Sequence, residues 1–118
     1  MEVRVQDVAR LALGEARKFR FEREGEQQEG FVLRHADGLA AYHNHCPHWG
    51  VDLDRGEGRF YSALTGRIVC SSHGALFVPS SGYCDAGPCA GASLERFELR
   101  PEGDDVVLTI ADRDPDPR

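Results

Sequence analysis

The sequence predicts an all-β fold, an antiparallel sandwich or barrel. Eight or so short runs read as strands, turn signals separate them at close intervals, and neither an internal repeat nor a second domain interrupts the pattern. At 118 residues the chain is long enough for one domain with a modest core of its own.

The elements follow in order. Asp7, ahead of Val8-Ala9-Arg10-Leu11, is placed to cap a single helical turn that Gly14 would end, a lead-in to the first strand. From Glu15 to Phe21 apolar and charged residues alternate, with Ala16, Phe19 and Phe21 as the apolar set, which predicts that strand. Residues 22–30 are polar with two glycines and predict a turn or an exposed hairpin end. Residues 30–35 and 39–43 are β-rich and joined through Ala36-Asp37-Gly38, whose Asp-Gly pair is a strong hairpin signal. Residues 51–67 predict a loop with one or two short strands, and Ile68-Val69 a strand leading into Cys70. Ala75-Leu76-Phe77-Val78 leaves that loop as another strand, Pro79 to Gly82 is a turn, and Tyr83 to Gly91 is a third loop. Ser93 to Arg100 and Asp105 to Ala111 form an antiparallel pair around Pro101-Glu102-Gly103-Asp104. One domain is expected over 1–111, with 112–118, charged and proline-rich, as a disordered tail.

Two stretches carry chemistry. His45-Cys46-Pro47-His48-Trp49-Gly50 and Val69-Cys70-Ser71-Ser72-His73-Gly74 each hold a cysteine and a histidine close enough to aim at one point from a single loop. Two thiolates and two imidazoles suit one tetrahedral zinc or a two-iron two-sulfur (2Fe–2S) cluster. The mixed pairs favour the cluster: zinc fingers usually draw sulfur from one segment and nitrogen from another, whereas here each segment offers one of each. His35 and His43 lie outside the paired spacing and read as surface strand residues. His45 reads as a polar neighbour of the site. Cys84 and Cys89 match no thiol motif and read as reduced thiols packed beneath the loops.

The double motif resembles the Rieske iron–sulfur proteins. Residues 41–50 are similar to that family's first ligand loop, residues 70–82 to its second, and Gly87-Pro88 to its proline loop. The resemblance implies a cluster-binding subdomain built from two ligand loops. Cys46 and Cys70 would bind the inner iron, and His48 and His73 the outer one. The 21 residues between His48 and Cys70 exceed the gap in many members, a difference that adds little closure entropy. The resemblance further implies a one-electron carrier of the ferredoxin type, an electron-transfer component and not an enzyme in itself, working between a flavin reductase and a terminal oxygenase. Members that oxidise quinols carry a serine two residues after the second histidine ligand, a tyrosine two further on, and a disulfide between the loops. Here Ala75, Phe77, Val51 and Ser72 occupy those places. With fewer donors to stabilise the reduced cluster, a potential near the low end is expected, roughly −150 mV or a little above.

Composition sets the exclusions. The net charge of −6 comes mainly from residues 91–118, with 8 acidic and 4 basic side chains, whereas residues 43–90 hold 4 and 3. This acidity argues against nucleic acid as a partner. No apolar run reaches membrane-spanning length and the first residues are charged, so the expectation is a soluble cytoplasmic protein that keeps its thiols reduced. Two other readings use the same four side chains: a structural Cys2His2 zinc module for protein interaction, and a small subunit of a larger oxidoreductase.

Overall fold

Two tight turns set up a central meander. Strand β2 (Ala16–Arg23) turns back through Glu24 and Gly25 into β3 (Glu26–His35), and β3 turns through Ala36 and Asp37 into β4 (Gly38–His43). Glu24 and Gly25 have φ of 58° and 77°, the mirror-image turn that matches the twist of paired strands. The strands therefore run well into the polar stretch 22–30, because the ladder continues to the Arg23↔Glu26 pair and leaves only two residues for the turn.

The computed structural model describes residues 1–47, 50–56, 58–72 and 74–111. Among them are ten strands and no helix. The expected tail, 112–118, lies outside the described residues. The other seven strands are β1 (Glu2–Val5), β5 (Tyr61–Ser62), β6 (Arg67–Val69), β7 (Leu76–Phe77), β8 (Cys84–Ala86), β9 (Arg96–Glu102) and β10 (Asp105–Thr109). Six make one antiparallel sheet in the order β1-β10-β9-β4-β3-β2, whose ends, β1 and β2, touch, so that the sheet curls into a nearly closed barrel. The other four make a smaller sheet, β5-β6-β7-β8.

Four expectations are corrected. The strand expected first, from Glu15, comes second: β1 lies upstream of the expected lead-in, where Val3 and Val5 alternate with charge, Val5 is buried, and β1 pairs with β10 from Glu2↔Thr109 to Val5↔Val106. Asp7 caps no helix, since its φ is 57° and the amides of Val8 and Ala9 donate to the Asp104 carbonyl instead. The stretch 83–91 contains β8, paired with β7 through Phe77↔Cys84, and Pro101 lies inside β9 opposite Val106, so the last turn is only Gly103-Asp104.

Period-two alternation divides the core. On β3, Phe31 and Leu33 face one cluster of buried residues while Val32 faces another. On β4, Ala40 and Tyr42 join the first and Ala41 the second. The second cluster, with Phe21, Phe97, Val106, Leu108 and Ile110, fills the barrel. The first lies between the barrel wall and the small sheet, and it contains all four cysteines. Burying a large apolar side chain contributes roughly 1.5–3 kcal/mol, so Phe31, stacked on Phe60 at 4.0 Å between centroids, is a main tie between the two units. Tyr42 adds a polar tie: its hydroxyl donates to the Pro79 carbonyl at 2.6 Å, and burial pushes its phenol up to about 12.

Candidate metal centre

The two cysteine loops share one backbone pattern. The Cys46 amide donates to the Val51 carbonyl at 2.8 Å, and the Cys46 carbonyl accepts from Gly50 at 2.8 Å. The Cys70 amide donates to Ala75 at 2.9 Å, and the Cys70 carbonyl accepts from Gly74 at 2.9 Å. Each loop is thus closed five residues beyond its cysteine and pinned at the fourth by a glycine with φ near 70°, 70° at Gly50 and 74° at Gly74. That conformation is strained for residues with a Cβ, which explains glycine at both positions. The Ser71 amide donates to the Leu53 carbonyl at 2.8 Å and joins the second loop to the first. Cys46 and Cys70 are both wholly buried, both free of disulfides and both in the core cluster under the small sheet.

A polar network with little local signature braces the first loop. The Asn44 side chain accepts from the Leu53 amide at 2.8 Å and donates to Glu29 at 2.9 Å and Asp54 at 3.1 Å. Asp54, fully buried, also accepts from Lys18 at 2.9 Å and from the amides of Gly56 and Gly58 at 3.2 and 2.8 Å. Burial opposes its charge, but the hydrogen bonds from Lys18, Asn44, Gly58 and Gly56 prevail and hold the carboxyl at about 2. Glu29, Asp52 and Asp54 bring carboxylate oxygens within 4.8 Å of one another, yet Lys18 already stands where a cation would, 3.3 Å from Glu29 and 2.9 Å from Asp54. The local signal for Asp54 was a turn pattern, an aspartate accepting from the amide two residues on, with Gly56 and Gly58 following it. Its reach to Lys18, 36 residues away, has no local signature.

Cys84 and Cys89 are buried, as the sequence suggested, and are not joined by a disulfide, with their sulfurs 3.4 Å apart. Burial, then the hydrogen bond with Cys84, then the charge of Cys46 push the Cys89 thiol up to about 12. The third loop is packed tightly on the second ligand loop: a Cβ on Gly87 would stand 2.7 Å from the Ala75 Cα, and the φ of Gly87 is 97°.

Of the four expected ligands, Cys46 and Cys70 are brought into one core, while His48 and His73 lie outside the described residues, as does Trp49. The expected surface positions of His35 and His43 are corrected, because both are buried. His43 has Nδ1 3.5 Å from Glu95, its ring edge-on to Phe21, and its face on His45 at 5.1 Å. His45 is exposed beside the loop, the polar neighbour expected. Ala75 and Phe77 are buried and bring no hydroxyl to the second loop. Two buried free thiols at the heads of duplicated loops fit sulfur ligation of iron, and the carboxylate cluster, where Lys18 already pairs with Glu29 and Asp54, offers only oxygen donors.

A model of the Rieske [2Fe-2S] domain matches residues 2–101. The chain belongs to this family. Its resident group is therefore a 2Fe–2S cluster, and the barrel with its smaller sheet is the Rieske domain fold. No curated protein sequence matches the chain. Among solved structures it is similar to the ferredoxin of carbazole 1,9a-dioxygenase from Nocardioides aromaticivorans IC177, with 26% identity and a TM-score of 0.67 over 91% of this chain and 95% of that one. A chain in the complex of reduced oxygenase and oxidized ferredoxin in carbazole 1,9a-dioxygenase has the same fold, at 24% identity and a TM-score of 0.68 over 91% of both chains. The terminal oxygenase from Novosphingobium sp. KA1 shares the fold at 23% identity and a TM-score of 0.68, covering 98% of this chain but 31% of that one. No helix among the described residues is long and apolar enough to cross a membrane.

Proposed function

We propose that this Rieske protein is a one-electron carrier that delivers electrons to a terminal oxygenase, with Cys46 and Cys70 holding one iron and His48 and His73 the other. The observation that carries the ligand assignment is the duplicated loop, in which two cysteines with the same backbone hydrogen bonds are buried in one core. Histidine ligation leaves the cluster less negative than an all-cysteine set, which eases uptake of a single electron. The chain's own part is to keep the Cys46 and Cys70 thiolates away from water, to fix both loops through Gly50 and Gly74, and to brace the first through Asn44 and Asp54.

The carrier reading is supported by size: the chain spans nearly the whole length of the similar ferredoxin, so little besides the cluster domain is shared between them. A groove lined by Val51, Asp52, Arg55 and Ser72, drawn from both ligand loops, gives a partner access beside the site. The electron donor is taken to be a flavin reductase, the cellular location the cytoplasm, and residues 1–111 a single domain.

The test is an EPR spectrum of the dithionite-reduced protein. Mixed histidine–cysteine ligation gives a lower mean g value than an all-thiolate cluster, and a zinc module gives no signal. Cys46→Ser, His48→Ala, Cys70→Ser and His73→Ala are each expected to abolish the spectrum. Retention of the wild-type spectrum in any of them would remove that residue from the ligand set.

A further inference from the structure

The chain has a net charge of −6, yet one groove, of about 410 Å³, gathers positive charge where the barrel meets the segment leading to the small sheet. Arg10 comes from the connection between β1 and β2, Arg17 from β2, and Arg59 from the approach to β5. All three are exposed, and none is paired with a carboxylate among the described residues. By contrast, Arg4, Lys18, Arg23, Arg67 and Arg100 each face one. Arg17 makes only a long bond to the Asp7 carbonyl, at 3.4 Å. Glu15, the carboxylate among the described lining residues, is turned to the Ala12 amide at 2.7 Å.

We propose that this groove docks an acidic segment of a protein partner, whose carboxylates pair with Arg10, Arg17 and Arg59. A guanidinium fork suits carboxylate and phosphate alike, so the surroundings decide between them. Phosphate is usually cradled by free backbone amides. Here the amides of Leu11, Gly14 and Glu15 already donate to the carbonyls of Val8, Arg34 and Ala12, and that of Gly58 to the Asp54 carboxylate. What the groove offers is side chain, and arginine beside an aromatic ring is what protein interfaces favour. The half-buried Tyr61 ring is seated against Gly14, where a Cβ would stand 2.8 Å from it. Leu13, next to Gly14 in the chain, is 61% exposed and adds apolar surface. The groove shares no lining residue with the one beside the ligand loops, so a segment held here leaves that one open. On the carrier reading, on which this last step rests, the partner is a redox protein gripped at one groove while electrons pass at the other.

The test is binding of a fluorescent hexaglutamate peptide to the cluster-loaded protein at low salt, read by anisotropy, with inorganic pyrophosphate as competitor. The double variant Arg10→Gln/Arg59→Gln is expected to weaken peptide binding about fivefold, since two exposed ion pairs of roughly twofold to threefold each multiply. A control that removes the same charge elsewhere, Arg20→Gln/Arg96→Gln, should stay within about twofold of the parent. Visible absorption and the urea midpoint report whether each variant is folded and loaded. Should the double variant fail there, Arg10→Gln and Arg59→Gln are measured singly, each with an expected loss of roughly twofold to threefold. No peptide binding by the parent would overturn the proposal. So would an equal loss in groove and control variants, which would show attraction to the whole surface. Pyrophosphate that displaces the peptide and binds more tightly than it would overturn it in favour of a phosphate ligand. Peptide binding does not depend on the cluster's spectrum, so failure of the carrier reading is seen separately, by EPR.

Discussion

Replacing Asp54 by asparagine keeps the side chain's shape and removes its charge. The structure allows the cost to be worked out. The carboxyl is fully buried, accepts from Lys18, Asn44, Gly56 and Gly58, and lies at about 2 instead of 3.8. At 1.36 kcal/mol per pH unit, that depression corresponds to about 2 kcal/mol of stability at neutral pH. The sign follows from the direction: a carboxyl depressed in the folded state stabilises above its unfolded value, and the contribution fades as pH falls from about 5 towards 2. Asp54→Asn is therefore expected to lower the urea midpoint of the cluster-loaded protein at pH 7 by about 1–2 M, taking about 1–2 kcal/mol per molar for a domain of this size. The difference between parent and variant should shrink between pH 5 and 3. Protonation of the metal ligands also weakens the protein in acid, but it affects both forms alike and cancels in the comparison. A variant as stable as the parent at pH 7, or a difference that stays constant down to pH 3, would refute the assignment of Asp54 as a charged brace.

Three further outcomes follow from the packing. Ala75→Ser places a hydroxyl on the second ligand loop, and with a net hydrogen bond of about 1 kcal/mol the midpoint potential should rise by roughly 40 mV in a redox titration. Gly87→Ala forces a Cβ to within 2.7 Å of the Ala75 backbone at a φ of 97°; a loss of at least about 2 kcal/mol is expected by urea unfolding, with cluster retention followed by visible absorption. Arg23→Met removes a buried guanidinium that donates to both oxygens of Glu95 at 2.9 Å, to Gln28 and to the Ala111 carbonyl, and unfolding should show a loss of about 3 kcal/mol.

What the sequence made legible was local. The β3–β4 hairpin could be read because Gly30 to Leu33 is continuously apolar and an Asp-Gly pair follows; burial on both faces of β3 is the physical counterpart of that run. The cysteine–histidine pairs could be read because two ligands in one loop must be close in sequence. β1 was readable as well, since Val3 and Val5 alternate with Glu2 and Arg4, but a strand of 4 residues competes poorly with a capping signal at Asp7. β8 had no such pattern, because Cys84 to Ala86 becomes a strand only through β7, across a turn. The burial of His43 depends on Glu95 and Phe21, and that of Asp54 on Lys18, partners supplied by distant parts of the chain.

The excursion that carries both cysteine loops leaves the barrel after β4 and returns at β9, and these two strands are neighbours in the large sheet. The two exits meet where the His43 amide donates to the Glu95 carbonyl at 2.9 Å and Ala41 pairs with Phe97. A cassette of about fifty residues thus plugs into a foundation whose strands close behind it. Such an attachment leaves the barrel's interior packing indifferent to changes at the redox end. Selection, or a protein engineer, can retune the cassette's chemistry or its docking rim without renegotiating the architecture that carries it.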